Sequence, residues 1–114
     1  MRDPGGVATT LCALRAVALA LAEASEERHF DLMSWRVCGR IFATVPKEPG
    51  QLRVFVDEAD VAEAVALDPV AYQELRWGNR LAGVTVDLRK AKKADVVELL
   101  ENAWRRKAPK RLQA

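Results

Sequence analysis

The segment from His29 to Val45 constrains the fold of this chain more than any other part of the sequence. Two short runs rich in β-branched and aromatic residues, 33–37 and 40–45, flank the dipeptide Cys38-Gly39. Such runs around a two-residue turn predict an antiparallel β-hairpin. Both central residues of a type I′ turn need a positive φ, so Cys38 should lie at an exposed tip, in a conformation more usual for Asn or Asp.

Side chains alternate between the two faces of the predicted hairpin. Cross-strand partners share a face, and the larger side chains should pack inward. We therefore assign Trp35, Val37 and Phe42 to the core and Arg36 to the more solvent-exposed face. The predicted cross-strand pairs are Val37 with Arg40, Trp35 with Phe42 and Met33 with Thr44.

The rest of the chain has the pattern of further helices and strands. Apolar residues at helical spacing within 7–24 predict an amphipathic first helix rather than a membrane span, because Arg15 interrupts the apolar run. Asp57 is predicted to cap a helix that Asp68-Pro69 ends. The other predicted elements are a strand over 52–56, a short helical turn over 69–77, a connection over 78–83, a strand over 84–88 and a last helix over 91–107.

Length and composition predict one α+β or α/β domain over residues 1–114, with 1–6 and 109–114 as flexible ends. The chain has 114 residues, half of them hydrophobic, which suffices for one core and not for two. Cys12 and Cys38 form no CxxC pair, which favours a reducing, cytoplasmic location. We expect Cys12 to be a small buried hydrophobe and Cys38 to be a free thiol at the turn.

Positive charge is concentrated in the C-terminal part of the chain. The net charge is +2, but residues 89–114 carry nine Lys and Arg against three acidic residues, a net +6. Residues 1–88 carry nine basic against thirteen acidic residues, a net −4. The basic residues lie before and after the last predicted helix, where either group is available to an anionic partner. The helix dipole also favours cations at a C-terminus, so the second group has a purely structural explanation as well.

Two stretches of the sequence resemble the MmcQ/YjbR family of small bacterial proteins. The first, 27–43, contains Ser-Trp-Arg-Val and Gly-Arg-Ile-Phe-Ala, similar to the family's aromatic-x-Val-x-Gly-Lys-x-Phe-Ala segment. The second, 84–112, leads from a short strand into a helix that ends in Ala-Trp. The resemblance implies a frataxin-like (CyaY-like) two-layer α+β fold, in which N- and C-terminal helices pack on an antiparallel sheet. Cys38 replaces the usual polar turn residue, and Arg40 stands where Lys is common.

The resemblance also implies a function, because family members are usually described as DNA-binding on structural analogy to a double-wing arrangement of strands. Fold analogy alone does not establish an activity, so basic side chains must supply the physical case. They would contact the phosphate backbone without reading sequence. The candidate DNA-binding residues are Arg36, Arg40, Lys47, Arg53, Lys90, Lys92, Lys93, Arg105, Arg106, Lys110 and Arg111. Trp77 is a candidate for stacking a base, although partial burial at a loop end is the simpler expectation.

A module that binds a protein or a small ligand is the alternative function, since this fold offers an exposed sheet surface and a groove beside its helices. A pI near 8.7 and the lack of a helix-turn-helix or zinc-finger pattern weigh against DNA. Iron binding is disfavoured, because Glu23, Glu26, Glu27 and Asp31 are few for a hard-cation site. His29 has no metal-ligand partner at a recognised spacing. Asp31 would share a face with it in an extended segment and is a candidate acid/base partner, although a structural role for the lone imidazole is the simpler expectation. We expect a monomer without catalytic activity, metal or cofactor that does not bind membranes.

Overall fold

The predicted hairpin lies within a six-stranded sheet in the computed structural model, which describes residues 9–113. Cys38 and Gly39 join its strands with φ angles of +49° and +82°. Two consecutive positive φ values are those of a type I′ turn, so the predicted turn is confirmed. The elements in chain order are α1 (Leu11–Ala20), β1 (Ala24–His29), β2 (Leu32–Val37), β3 (Arg40–Val45), β4 (Gln51–Val54), α2 (Glu58–Leu67), β5 (Tyr72–Trp77), β6 (Arg80–Asp87), α3 (Lys93–Lys107) and a 3-10 turn (Lys110–Leu112).

The strands are antiparallel throughout and follow the order β1-β2-β3-β4-β6-β5. The helices form a second layer, in which α3 packs on β2, β3, β4 and α1, while α2 packs on β5 and β6. Buried residues of both layers form one apolar cluster, so the predicted two-layer α+β arrangement is confirmed. The largest fully buried side chains include Trp35, Tyr72, Phe42, Leu14, Leu52 and Leu100.

A β-bulge changes the register of the central hairpin. Val37 pairs with Arg40 as predicted and Arg36 pairs with Ile41, but the register shifts between Arg36 and Trp35, and beyond that point the predicted pairing is wrong. The predicted pairs Trp35–Phe42 and Met33–Thr44 are replaced by Trp35–Ala43, Ser34–Thr44 and Met33–Val45. A bulge inserts one extra residue into one strand, and alternation cannot foresee it. Phe42 takes the extra position and stays buried, so the predicted core set of Trp35, Val37 and Phe42 is confirmed.

The predicted helix caps explain the bounds of α2. The Asp57 Oδ1 atom accepts a hydrogen bond from the backbone N–H of Asp60 at 2.9 Å, as expected of an N-cap. The helix ends at Leu67, immediately before Asp68-Pro69. In α3, which begins two residues later than predicted, the inward residues are those that the apolar spacing indicates: Val96, Leu99, Leu100, Ala103 and Trp104.

The first helix is shorter than predicted, because an additional strand follows it. α1 ends at Ala20, and Glu23, with a φ of +55°, turns the chain into β1. The sequence of β1, Ala-Ser-Glu-Glu-Arg-His, is mostly polar and has weak strand propensity. Six consecutive pairs with β2, from Ala24 with Val37 to His29 with Leu32, hold it in the sheet.

The predicted helical turn over 69–77 and connection over 78–83 are also wrong. This region forms the hairpin of β5 and β6, which turns at Gly78 and Asn79 with a φ of +65° at Gly78. Gly83 lies within β6 and does not bound a loop. A Cβ atom at Gly83 would lie 2.2 Å from the carbonyl oxygen of Val54, so the close approach of β4 requires a glycine there.

The described part of the C-terminal end packs against the turn before β1, and both cysteines lie at the surface. Of the predicted flexible ends, 1–6 lies outside the described residues, whereas within 109–114 the 3-10 turn places Arg111 against Glu23 at 2.9 Å. Both cysteines are free and exposed, so the buried position expected for Cys12 is wrong. Leu14 and Ala18 form the buried face of α1, and Cys12 lies about 200° around the helix from Leu14. Within 9–113, no helix is long and apolar enough to cross a membrane.

Candidate nucleic-acid interface

Two hairpin tips lie at the same end of the sheet, and each is followed at once by an arginine. Arg40 is the first residue of β3 after the Cys38-Gly39 turn, and Arg80 is the first residue of β6 after the Gly78-Asn79 turn. The antiparallel register connects the two hairpins through β4, which pairs with both β3 and β6. The strand pairing therefore places both arginines at the same end of the sheet.

A groove of about 450 Å³ lies beside these tips. It runs along β3 and β4 to the start of β6 and the last turn of α3. Within the described residues its lining contains no carboxylate. We call it the cationic groove, because its lining includes Arg40, Arg53, Arg80, Arg106 and Lys107.

The positive charges of the groove repel one another. Partial burial lowers the pKa of Lys107, and the neighbouring charges of Arg106, Arg40 and Arg80 lower it further. The Arg40 Nη1 atom donates a hydrogen bond to the backbone carbonyl oxygen of Lys107 at 3.3 Å, which joins the first tip to the end of α3. A bound anion would relieve this repulsion, since an opposite charge within a few ångströms favours the charged form of each cation.

Aromatic side chains lie beside the cations. The rings of Phe55 and Trp77 meet edge to face with centroids 5.5 Å apart, and both line the groove. Phe55 is buried, whereas Trp77 is 56% exposed, so part of the indole surface is available to a ligand. At the other end of the groove His29 lies 4.7 Å from the ring of the exposed Phe30. Exposed rings of this kind can stack on unpaired bases.

The structure separates the predicted DNA-binding residues into groups. Arg40, Arg53 and Arg106 line the cationic groove. Four others contact neighbouring polar groups: Arg36 contacts Ser34, Lys47 contacts Asp31, Arg105 contacts Asn102, and Arg111 contacts Glu23. Three precede or begin α3, at the end opposite Arg106: Lys90, Lys92 and Lys93. Lys110 lies in the 3-10 turn and does not line the groove.

Two cations of the groove, Arg80 and Lys107, are not among the residues predicted from the sequence. Arg80 follows the dipeptide Gly78-Asn79, a recognised two-residue hairpin turn, and its neighbours in β5 include Tyr72 and Trp77, which favour strands. That signal was sufficient to predict a second tip with its own arginine. No local signal places Lys107 in the groove, because its position there depends on how α3 packs against the sheet.

Comparison with models of protein families identifies the family of the chain. The model of the YjbR family matches residues 19–106. The chain belongs to the YjbR family. The matched segment contains both hairpin tips and four of the five groove cations, and Lys107 follows it directly. Neither the curated proteins nor the solved structures searched include a match.

The exposed Cys38 belongs to a small polar cluster that does not line the cationic groove. Its Sγ atom donates to Glu23 Oε1 at 3.3 Å, and Glu23 also accepts from Arg111 at 2.9 and 3.0 Å. Desolvation and the hydrogen bond to Glu23 raise the pKa of the Cys38 thiol, which disfavours the reactive thiolate. In the part of the chain from 9 to 113, no group of three His, Cys, Asp or Glu residues is placed to hold a metal ion.

Proposed function

We propose that this YjbR-family protein binds nucleic acid by its phosphate backbone at the cationic groove, without reading base sequence. The observation that supports this function is the convergence of Arg40, Arg53, Arg80, Arg106 and Lys107 on one groove, with no carboxylate among the described lining residues. Cations that neutralise phosphates release condensed counterions, and this sequence-independent gain accounts for most non-specific binding.

Each side of the groove contributes to the proposed contact. The two tips supply Arg40 and Arg80, and the last turn of α3 supplies Arg106, so three separate elements present guanidinium groups. A guanidinium donates paired hydrogen bonds that match the geometry of phosphate oxygens. Contacts of this type hold a strand in position but carry no base information. Our proposal is a binding role without a catalytic step, and we propose further that the protein acts in the cytoplasm as a monomer.

A small anionic ligand is the second candidate for the same groove. Its volume of about 450 Å³ lies within the range of small-molecule sites, and Trp77 offers an aromatic surface at its edge. The two functions differ in what they require of the ligand. A backbone binder needs several linked phosphates, whereas a small-ligand module binds a single nucleotide as tightly as a polymer of the same nucleotide.

Fluorescence anisotropy with labelled oligonucleotides tests the proposal. We expect the protein to bind a 20-nucleotide strand or duplex at low salt, with single nucleotides failing to compete at matched phosphate concentration. The variant Arg80→Ala/Arg106→Ala should bind roughly 50-fold more weakly near 0.1 M salt, if each arginine neutralises one phosphate. The matched control Lys90→Ala/Lys92→Ala loses the same charge outside the groove and should bind like the wild type.

Three outcomes would decide against backbone binding at this groove. Absence of binding at low salt contradicts nucleic-acid binding as a whole. Equal losses in the groove variant and in the control contradict the assignment to the groove, since net charge would then explain the affinity. Competition by single nucleotides at the polymer's affinity would favour the small-ligand function.

A further inference from the structure

A second groove lies between α2 and α3, and its charge is opposite to that of the cationic groove. Its volume is about 400 Å³, and apolar residues such as Ala64, Leu67 and Leu99 form part of its surface. Among the described residues, its lining contains no Lys, Arg or His. We call it the acidic groove, because four carboxylates line it: Asp60, Glu63, Asp95 and Glu98.

Tyr72 lines the acidic groove, and its hydroxyl group has no hydrogen-bond partner among the described residues. Tyr72 is only 1% exposed, and its oxygen atom is buried and unbonded within the described chain. Desolvation is the main cause that raises the pKa of Tyr72 to about 12, and the negative charges of Asp95 and Asp68 raise it further. The group is therefore a neutral phenol near a carboxylate of the groove. Buried polar groups are nearly always bonded, so an unbonded one indicates a site for a ligand donor.

Among the described residues, no carboxylate of the acidic groove forms a salt bridge. Burial raises the pKa of Asp60, and the charges of Asp57, Glu63 and Glu98 raise it further. The amide of Asn102 contacts one of these carboxylates, since its Nδ2 atom donates to Asp60 Oδ1 at 3.5 Å. Arg105 donates to the same amide at 2.9 Å and does not line the groove. A ligand that supplies positive charge would relieve this repulsion.

We propose that the acidic groove binds an aliphatic polyamine. Its ammonium groups would donate hydrogen bonds to the carboxylates and to the phenol oxygen of Tyr72, while its methylene chain covers Leu67 and Leu99. The carboxylates do not converge as metal ligands, since no group of three acidic, His or Cys residues within 9–113 is placed to hold an ion. Ammonium groups separated by methylene chains match separated carboxylates, whereas a hard cation needs converging oxygens.

Isothermal titration calorimetry of the full chain with spermidine tests this site. We expect Tyr72→Phe to bind spermidine about 3- to 10-fold more weakly, the fold-change for one lost hydrogen bond. Asp95→Asn/Glu98→Gln should weaken binding on the order of tenfold or more, because it removes charged acceptors. The matched control Glu58→Gln/Glu101→Gln removes one carboxylate from α2 and one from α3, both outside the groove. It should bind spermidine like the wild type.

Denaturation of Tyr72→Phe provides an internal check, since the lost hydroxyl makes no hydrogen bond in the described chain and stability should not fall. Unchanged spermidine affinity in Tyr72→Phe would overturn the proposal. Equal losses of spermidine affinity in Asp95→Asn/Glu98→Gln and in the control would also overturn it. Displacement of spermidine by magnesium ions at constant ionic strength would overturn it as well. Nα-acetyl-lysine amide carries a single ammonium group. If it binds as tightly as spermidine, the groove binds a lysine side chain and the polyamine proposal is wrong. None of these outcomes depends on nucleic-acid binding at the cationic groove.

Discussion

The salt dependence of DNA binding measures how many side chains of the cationic groove contact phosphate. The logarithm of the binding constant falls linearly with the logarithm of salt concentration, by about 0.9 per neutralised phosphate on duplex DNA and about 0.7 on single strands. The groove presents Arg40, Arg53, Arg80, Arg106 and Lys107. If all contact phosphate, the slope is about −4.5 on a duplex and about −3.5 on a single strand. Duplex affinity then falls roughly 500-fold between 50 and 200 mM salt.

The variant Arg80→Ala/Arg106→Ala removes two of these charges from different elements of the groove. We expect the duplex slope to become shallower by about 1.8. The control Lys90→Ala/Lys92→Ala loses the same charge beyond the N-terminal end of α3. That helix has 15 residues, so its ends are roughly 22 Å apart, and the control slope should equal that of the wild type. Anisotropy titrations of a labelled 20-base-pair duplex at several sodium chloride concentrations give each slope.

The reasoning fails if the slopes of both variants change equally, because net charge and not the groove would then set the affinity. It also fails if the wild-type slope is close to −1, since one phosphate contact does not need five converging cations. The single substitutions Arg40→Ala and Lys110→Ala give a finer comparison. Arg40 lines the groove and Lys110 does not, so only Arg40→Ala should make the slope shallower.

The other predictions concern the fold and are measured by urea denaturation. Trp35→Ala removes a fully buried indole and should lose about 3–5 kcal/mol of stability; a loss below 1 kcal/mol would contradict its place in the core. Gly83→Ala places a Cβ atom against Val54 and should lose about 1–3 kcal/mol, whereas an unchanged midpoint would show that β6 can move away. Glu26→Gln weakens the bonds that Glu26 accepts from Arg15 at 2.9 Å and from Trp35 at 3.0 Å, and should lose about 1–3 kcal/mol at pH 7. The bond from Arg15 lowers the pKa of Glu26 below its ordinary value, so this stabilisation is present above the ordinary pKa and is lost as the pH falls through the lowered pKa. A difference between variant and wild type that stays constant into acid would contradict that assignment.

Local chemistry in the sequence was sufficient for the central hairpin and for the bounds of α2. The turn at Cys38-Gly39 depends on two adjacent positive φ values, and the cap at Asp57 depends on a side chain three residues from its donor. Both are short-range effects that neighbouring residues determine. The core positions of Trp35 and Phe42 also follow from the size of the side chains, even though their predicted pairing was wrong.

The edge strands could not be derived in the same way. β1 is mostly polar, and its strand conformation depends on hydrogen bonds from β2 that local propensity does not register. β5 contains the helix-compatible run Gln73-Glu74-Leu75, and its pairing with β6 determines its conformation. The bulge that shifts Trp35 from Phe42 to Ala43 is likewise a property of the paired strands, since alternation in one strand contains no sign of it.

The sequence by itself determined the family, the α+β class and the excess of positive charge in the C-terminal part of the chain. It could not determine which charges act together, because a count along the chain does not measure distances across it. Only the tertiary structure decided that Arg40, Arg80 and Arg106 converge, since their positions depend on strand register through β4 and on the packing of α3. Tertiary packing also places Tyr72 in the groove between α2 and α3, and no sequence pattern shows that its hydroxyl has no partner among the described residues.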